Sequence, residues 1–367
     1  MPTPWKRDLA AARESLAGWM QKQLPGVSGL ELSELSAPQS SGFSNETLFV
    51  DAHYLRGGER VVDRVVVRVQ PTGFQVFPEY DMRLQFRTMS LLASTPVPVP
   101  RMFWIEEQDL SVLGAPFYVM GRVAGRVPSD SPPYNASGWL TELPDADVAA
   151  IWWGGIGCIA QVASLDHRAA GFGFLDRPAL GAAPLDQNLA YYRKYHDWAS
   201  RGNPQPTADA AWEWLFAQRP SGEPTGLVWG DARIGNILVD GTRPAAVLDW
   251  EMVTLGSPEV DLGWTLFLDR YHSEGVGVPR LPGFPSREAS VERFEALTGH
   301  RVRHLHYYEV WAGYRFAVIM MRLAQQAGHY AGLDELAVRA LEIDNPITRC
   351  LARLLELPEP KSFLASP

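Results

Sequence analysis

Residues 45–70 read "NETLFVDAHYLRGGERVVDRVVVRVQ", and no other stretch constrains the fold as much. Two runs rich in Val, Leu, Phe and Tyr flank Gly57-Gly58. β-Branched and aromatic side chains favour extended backbone, and paired glycines accept the positive φ of a tight reversal, so an antiparallel pair of strands is predicted. Ahead of it, residues 5–23 place Leu9, Leu16, Trp19 and Met20 at near-helical spacing, with Pro25 and Gly26 as a stop. Behind it, "DMRLQFRTMSLLA" sets Met82, Phe86, Met89 and Ala93 at i, i+4, i+7 and i+11, which predicts a helix packed on the sheet. "TPVPVPR" ends that helix, because proline removes amide donors and disfavours helical backbone before it. "MFWIEE" and "APFYVMGRV" complete an antiparallel meander of five strands with one helix on it. After the polar, Pro-rich "GRVPSDSPPY" the pattern turns mainly helical, interrupted only near 227–250. The expected architecture is α+β and bilobal: a β-rich lobe with a leading helix over 1–125, and a larger helical lobe over 126–367, with a cleft between.

A net charge of −9 argues against non-specific binding to nucleic acid or anionic membrane, both of which need a surplus of Lys and Arg on one face. Two cysteines, Cys158 and Cys350, lie far apart without a C-x-x-C spacing, which leaves no disulfide framework and no zinc cluster to read. The first twenty residues lack a continuous apolar segment, and the expected location is cytoplasmic. Only four of the 33 basic residues are lysines: Lys6, Lys22, Lys194 and Lys361. Any task for a cation between residues 23 and 193 therefore falls to arginine.

The interruption reads "LVWGDARIGNILVD", followed by "AVLDWE". Asp231 and Asn236 stand five residues apart between apolar runs, and Asp249 closes the next one. Taken alone, Gly-Asp and Gly-Asn are turn formers of a hairpin. Taken with Asp249 they supply what phosphoryl transfer needs: a carboxylate to receive a hydroxyl proton, and hard oxygen ligands for Mg²⁺. The protein-kinase pattern H-R-D-L-x-x-x-N uses the same five-residue spacing, with a metal-binding Asp on a later strand. No G-x-x-x-x-G-K-[ST] and no G-x-S-x-G occurs, which removes a P-loop and a nucleophile elbow.

Several motifs in order, "SSGFSNETLFV", "VVVRVQP", "VLGAPFYVMGRVAGRVP", "LVWGDARIGNILVD" and "AVLDWEMVTLGSPEVDLGW", resemble the aminoglycoside phosphotransferase and choline kinase-like enzymes of protein kinase-like fold. The resemblance is greatest to the branch of kinase domains attached to acyl-CoA dehydrogenases. It implies Asp231 as catalytic base, Arg233 near the transferring phosphate, and Asn236 and Asp249 as Mg²⁺ ligands. It also implies a nucleotide site, for ATP or GTP, made of the loop Ser41, Gly42, Phe43, Ser44 and Asn45, the phosphate-binding Arg68, and the inter-lobe segment Met120, Gly121, Arg122 and Val123. Asp261 falls where an acid braces the catalytic loop. Three positions depart from the family: Trp229 replaces a loop-supporting His, Gln85 replaces the helix Glu that pairs with the phosphate-binding cation, and Ala163 stands where relatives often carry His. Gln85 is then expected to hydrogen-bond Arg68, or Glu79 or Asp81 to stand in for it. Arg68 has a second reading, as one of the residues Arg64, Val66 and Arg68 on a solvated strand face. "RVRHLHYYEVW" sets His304 and Tyr308 one helical turn apart, either lining a pocket or packing.

The function expected from these residues is Mg²⁺-assisted transfer of the γ-phosphate of ATP to a hydroxyl of a small molecule, aminoglycoside-like or a hydroxyacyl metabolite. The rival expectation is a nucleotide-binding pseudoenzyme with a regulatory or scaffold role, for which Gln85 and Trp229 speak.

Overall fold

The computed structural model describes residues 7–37 and 45–361. Helix α1 (Leu9–Gln23) is capped by Asp8, whose side chain accepts the amides of Ala10 and Ala11. Five antiparallel strands follow: β1 (Val27–Leu32), β2 (Glu46–Arg56), β3 (Glu59–Val69), β4 (Met102–Glu106) and β5 (Phe117–Gly121). Their order is β1-β2-β3-β5-β4, so the sheet departs from a pure meander: the chain leaves β3 through helix α2 (Met82–Leu92), reaches the far edge as β4 and returns inside it as β5. The Gly57-Gly58 reversal closes eleven cross-strand pairs between β2 and β3, from Glu46–Val69 to Arg56–Glu59.

The two faces of this sheet serve different cores. Val65, Val67 and Val69 point to a cluster closed by Leu16, Trp19 and Met20 of α1. Val66 points the other way, into a core continuous with α2 and the helical part of the chain. The α2 stripe is rotated from its expected register: Met82, Gln85, Thr88, Met89 and Leu92 are buried, Phe86 is half-buried, and Ala93 is the exposed C-cap. Asp81 caps the helix by accepting from Leu84 N–H.

The helical part contains α3 (Asp145–Ala163), α4 (Pro184–Ser200), α5 (Pro206–Ala217), α6 (Glu259–Arg270), α7 (Arg287–Thr298), α8 (Leu305–Ala331), α9 (Glu335–Ile343) and α10 (Pro346–Leu354). By length and composition α3 is apolar enough to span a bilayer, with a mean hydropathy of 1.3 over its best window. Its Ile151, Trp152, Ile156 and Ile159 are buried within the main core.

Between α5 and α6 lie two small ribbons, β6 (Gly226–Val228) paired with β9 (Thr254–Gly256), and β7 (Ile237–Asp240) paired with β8 (Arg243–Val247). Strand β6 does not pair with β7, so Asp231 and Asn236 occupy a loop between ribbons and not the turn of a hairpin. Main-chain bonds tie this region to the chain leaving the sheet: Val247 N–H donates to Pro98 O at 2.8 Å, and Arg126 exchanges bonds with Val239 at 3.0 and 2.8 Å.

Candidate active site

Three supports shape the loop from Trp229 to Asn236. Asp261, in the first turn of α6, accepts the amides of Trp229 at 2.7 Å and Gly230 at 2.8 Å. Arg315 of α8 donates from Nη2 to Gly230 O at 2.9 Å. Trp229, fully buried against Trp250, donates its indole N–H to Leu248 O at 2.9 Å. The tryptophan thus ties the loop to the strand that precedes Asp249, which is a supporting role, so its departure from the family leaves the loop braced. Gly230 has φ +97°, and a Cβ there would stand 2.1 Å from Met252 O, so both conformation and space require glycine.

Asp231 emerges from this loop with three donors on it. Asn236 Nδ2 lies 2.7 Å from Oδ2, Trp264 Nε1 2.8 Å from Oδ1, and Arg233 Nε 3.1 Å from Oδ1. Asn236 also donates to Asp231 O at 3.1 Å, and its main-chain carbonyl accepts Leu248 N–H at 2.8 Å. Asn236 and the Asp249 segment are thereby held side by side, although thirteen positions separate them in sequence.

Asp249 has φ +61°, an unusual conformation for a residue with a Cβ and one that Asp tolerates better than most. Its Oδ1 is buried without a hydrogen-bond partner, 3.6 Å from Arg68 Nη2. Burial raises its pKa, Arg68 opposes that, and Asp231 adds to it. An orphaned carboxylate oxygen repelled by a second carboxylate, beside an Asn whose amide hydrogens are already used, is a donor set that suits a small hard divalent cation. Among the described residues no group of three His, Cys, Asp or Glu forms a metal cluster. An ion held by Asn236 and Asp249 would complete its shell from phosphate and water, which is how Mg²⁺ is ordinarily bound.

Arg68 is not on a solvated face. Its side chain is 14% exposed, against 72% for Arg64 four residues earlier, because the strand runs from the rim into the interior. Nη1 donates to Thr47 Oγ1 at 2.8 Å. Burial disfavours its charge, but Tyr118, Asp249 and Glu251 outweigh that, and its pKa stands above the usual value. The expected bond from Gln85 is absent: Gln85 Oε1 accepts Tyr118 O–H at 3.1 Å, so its influence on Arg68 passes through Tyr118. Asp81 is engaged as the cap of α2, and the carboxylate paired with Arg68 is Asp249.

Of the proposed nucleotide loop, Ser41, Gly42, Phe43 and Ser44 lie outside the described residues. Asn45, buried at the start of β2, donates to Glu251 Oε2 at 3.0 Å, two residues past Asp249. Met120 is buried near the end of β5, where Gly121 N–H and Arg122 N–H are taken by Arg101 O and Arg64 O. Val123 N–H is the first beyond β5 that no main-chain carbonyl among the described residues accepts.

Two contacts at the site escaped sequence reading. Trp264 was one of many aromatic residues, and only the i, i+3 relation to Asp261 on α6 hints that it faces the same loop. Asp130, in the Pro-rich segment, accepts from Arg233 Nη1 and lies 3.4 Å from His272 Nε2. No local pattern signals a contact across a hundred residues. Arg233 is held between two acids, which keep its pKa up despite burial. Of the two readings for His304 and Tyr308, packing describes Tyr308: His304 precedes α8, and buried Tyr308 packs against Gly263, where a Cβ would come within 2.7 Å of its main chain.

Comparisons with known proteins agree with this fold. Acyl-CoA dehydrogenase family member 11 of Gallus gallus is 30% identical over 256 residues, 68% of this chain and 30% of that protein, so the chain spans about a third of that relative. A solved structure from Ralstonia eutropha, provisionally assigned as an aminoglycoside phosphotransferase, superposes with a TM-score of 0.67 at 25% identity, covering 94% of this chain and 98% of that one. The phosphotransferase APH(4)-Ia, solved as a variant in ternary complex with AMP-PNP and hygromycin B, shares the fold at a TM-score of 0.52 and 16% identity, with 93% and 98% covered. The profile of the phosphotransferase enzyme family, APH, matches residues 37–287, and the chain belongs to that family.

Proposed function

We propose that the protein transfers the γ-phosphoryl group of ATP to a hydroxyl of a small molecule, with Mg²⁺ held by Asn236 and Asp249. The observation that carries this reading is the constellation of Asp231, Asn236 and Asp249 with one buried carboxylate oxygen left without a hydrogen bond. Bound Mg²⁺ would neutralise charge on the phosphates. Asp231 orients the acceptor hydroxyl and takes its proton while oxygen attacks the γ-phosphorus and the bond to the β-phosphate oxygen breaks, releasing ADP. Trp264 and Asn236 keep the Asp231 carboxylate turned to that task. Arg68 grips phosphate oxygens, Arg233 approaches the transferring group, and the free Val123 N–H suits the edge of a purine. The ATP analogue bound to APH(4)-Ia supports ATP as donor.

For the acceptor, the likeness to acyl-CoA dehydrogenase family member 11 favours a hydroxyacyl compound, and that to APH(4)-Ia an amino sugar. We place the protein in a reducing, cytoplasmic compartment, in keeping with two free, buried cysteines. The test is consumption of ATP and of GTP, with Mg²⁺, against hydroxyacyl compounds, aminoglycosides, choline-like amines and sugars. Asp231→Asn should bind nucleotide as the parent does and lose roughly 10²- to 10⁴-fold in kcat. Equal turnover in parent and variant removes the base. Nucleotide binding without turnover on any acceptor replaces the enzyme with a regulatory protein.

A further inference from the structure

A cavity of about 260 Å³ lies behind the turn that carries Asp249, bounded by α2, α4, α8 and residues 251–254. Asp231, Asn236, Asp249 and Arg68 do not line it, so it is separate from the phosphate site. Its walls mix polar side chains with apolar and aromatic ones, among them Phe77, Leu84, Phe174, Tyr191 and Trp311. Arg315 also lines it and is 3% exposed.

That arginine is under-compensated. Nη2 is spent on Gly230 O, and the guanidinium lies over the rings of Tyr192 and Trp264, at 5.1 and 4.5 Å. Nε is buried with no hydrogen-bond partner, and Arg315 forms no salt bridge among the described residues. Asp261, the acid that feels its charge, spends both oxygens on the amides of Trp229 and Gly230. A buried N–H without an acceptor is costly, and proteins ordinarily satisfy it. The acids around the cavity are differently placed. Asp81 is exposed and caps α2, Glu79 is exposed at the rim, and Glu251 already accepts from Asn45. The charge of half-buried Glu251 is offset by Arg177, a second guanidinium in the lining, so the unpaired Nε of Arg315 leaves the interior favouring an anion.

We propose that this cavity binds a small carboxylate with an aromatic or similarly compact apolar body, its oxygens on Arg315 and its ring against Tyr191 and Trp311. The volume lies just below the roughly 300–1,000 Å³ of ordinary small-molecule pockets, which limits the ligand to about one ring. Binding there touches both halves of the phosphate site. Arg315 holds Gly230, the residue before Asp231, and the opposite wall is the segment directly after Asp249. An occupied cavity therefore braces both loops, and the site is a control point for them.

The test reads binding without turnover, so it stands or falls apart from the phosphotransferase reading. Phenylacetate is titrated into the full chain by calorimetry and tryptophan fluorescence, beside neutral phenylacetamide and cationic benzyltrimethylammonium. One-to-one binding of phenylacetate is expected, weaker by about tenfold or more for phenylacetamide and for Arg315→Met. Leu84→Trp, which fills the cavity from half-buried α2 and leaves the arginine in place, should lose binding similarly, and it decides the matter if Arg315→Met fails to fold. Saturating AMP-PNP with Mg²⁺ should not displace the ligand. Absence of saturable binding, preference for the ammonium probe, competition by AMP-PNP, or unchanged binding in Leu84→Trp would each overturn the proposal.

Discussion

Asp249 Oδ1 stands 3.6 Å from Arg68 Nη2, too far for a hydrogen bond and close enough to share a ligand between them. This pair joins the sheet to the ribbons, because Arg68 lies on β3 and Asp249 follows β8. A phosphate on the arginine and a divalent ion on the carboxylate would fill the same gap.

That geometry makes Asp249→Asn the informative variant. Asn tolerates the φ of +61° as well as Asp does, so the backbone should persist, whereas Ala would add strain to the chemical change. Nucleotide binding should lose its Mg²⁺-dependent enhancement by about tenfold or more, with little change in the metal-free affinity. Titration of nucleotide with and without Mg²⁺ checks this. An enhancement equal to that of the parent would show that the ion is held elsewhere.

A second prediction concerns the clamp on Arg233. A Cβ at Gly235 would stand 2.5 Å from Arg233 Nη1 and 2.8 Å from Asp130 Oδ1, so Gly235→Ala must push the guanidinium away from Asp130. Arg233 has a flexible stem, and the cost should appear in function more than in folding. With an acceptor in hand, kcat should drop while the melting temperature stays within a few degrees, roughly the scale of a surface change. A normal kcat would mean that the Asp130 contact does not position Arg233 for transfer.

How much of this was legible in sequence follows from the range of the interactions. The hairpin at Gly57-Gly58 and the stop after Gln23 are local, set by backbone preference and side-chain period, and both appear where the residues put them. Asp231, Asn236 and Asp249 could be singled out because short spacing and residue chemistry coincide. The partner of Gln85 could not, since a register shift along α2 and a tyrosine thirty-three residues away decide it. Asp130 and Trp264 were likewise invisible as site residues, because each meets the loop only once the helices and the Pro-rich segment have packed.

The last prediction uses two buried groups whose ionisation pulls stability in opposite directions. Burial pushes Asp261 up to about 6, with the Gly230 and Trp229 amides and Arg315 pulling it back down and Asp231 pushing it further up. Its folded pKa is above the ordinary 3.8, so its share of stability is complete below that value and is lost as pH rises through about 6. Burial pushes His272 down to about 4, against the pull of Asp130. Its share is present above the ordinary 6.5 and is lost as pH falls through about 4. Each displacement is a little over two pKa units, worth about 3 kcal/mol at about 1.4 kcal/mol per unit. Urea unfolding of the parent, Asp261→Asn and His272→Gln from pH 4 to pH 7 separates them. The stability of the parent relative to Asp261→Asn should fall as pH rises, and relative to His272→Gln it should rise. The Asn variant should also be less stable at every pH, because its amide turns a donor toward the Trp229 or Gly230 N–H. Parallel curves for the two variants would mean that neither group is buried in the state that unfolds.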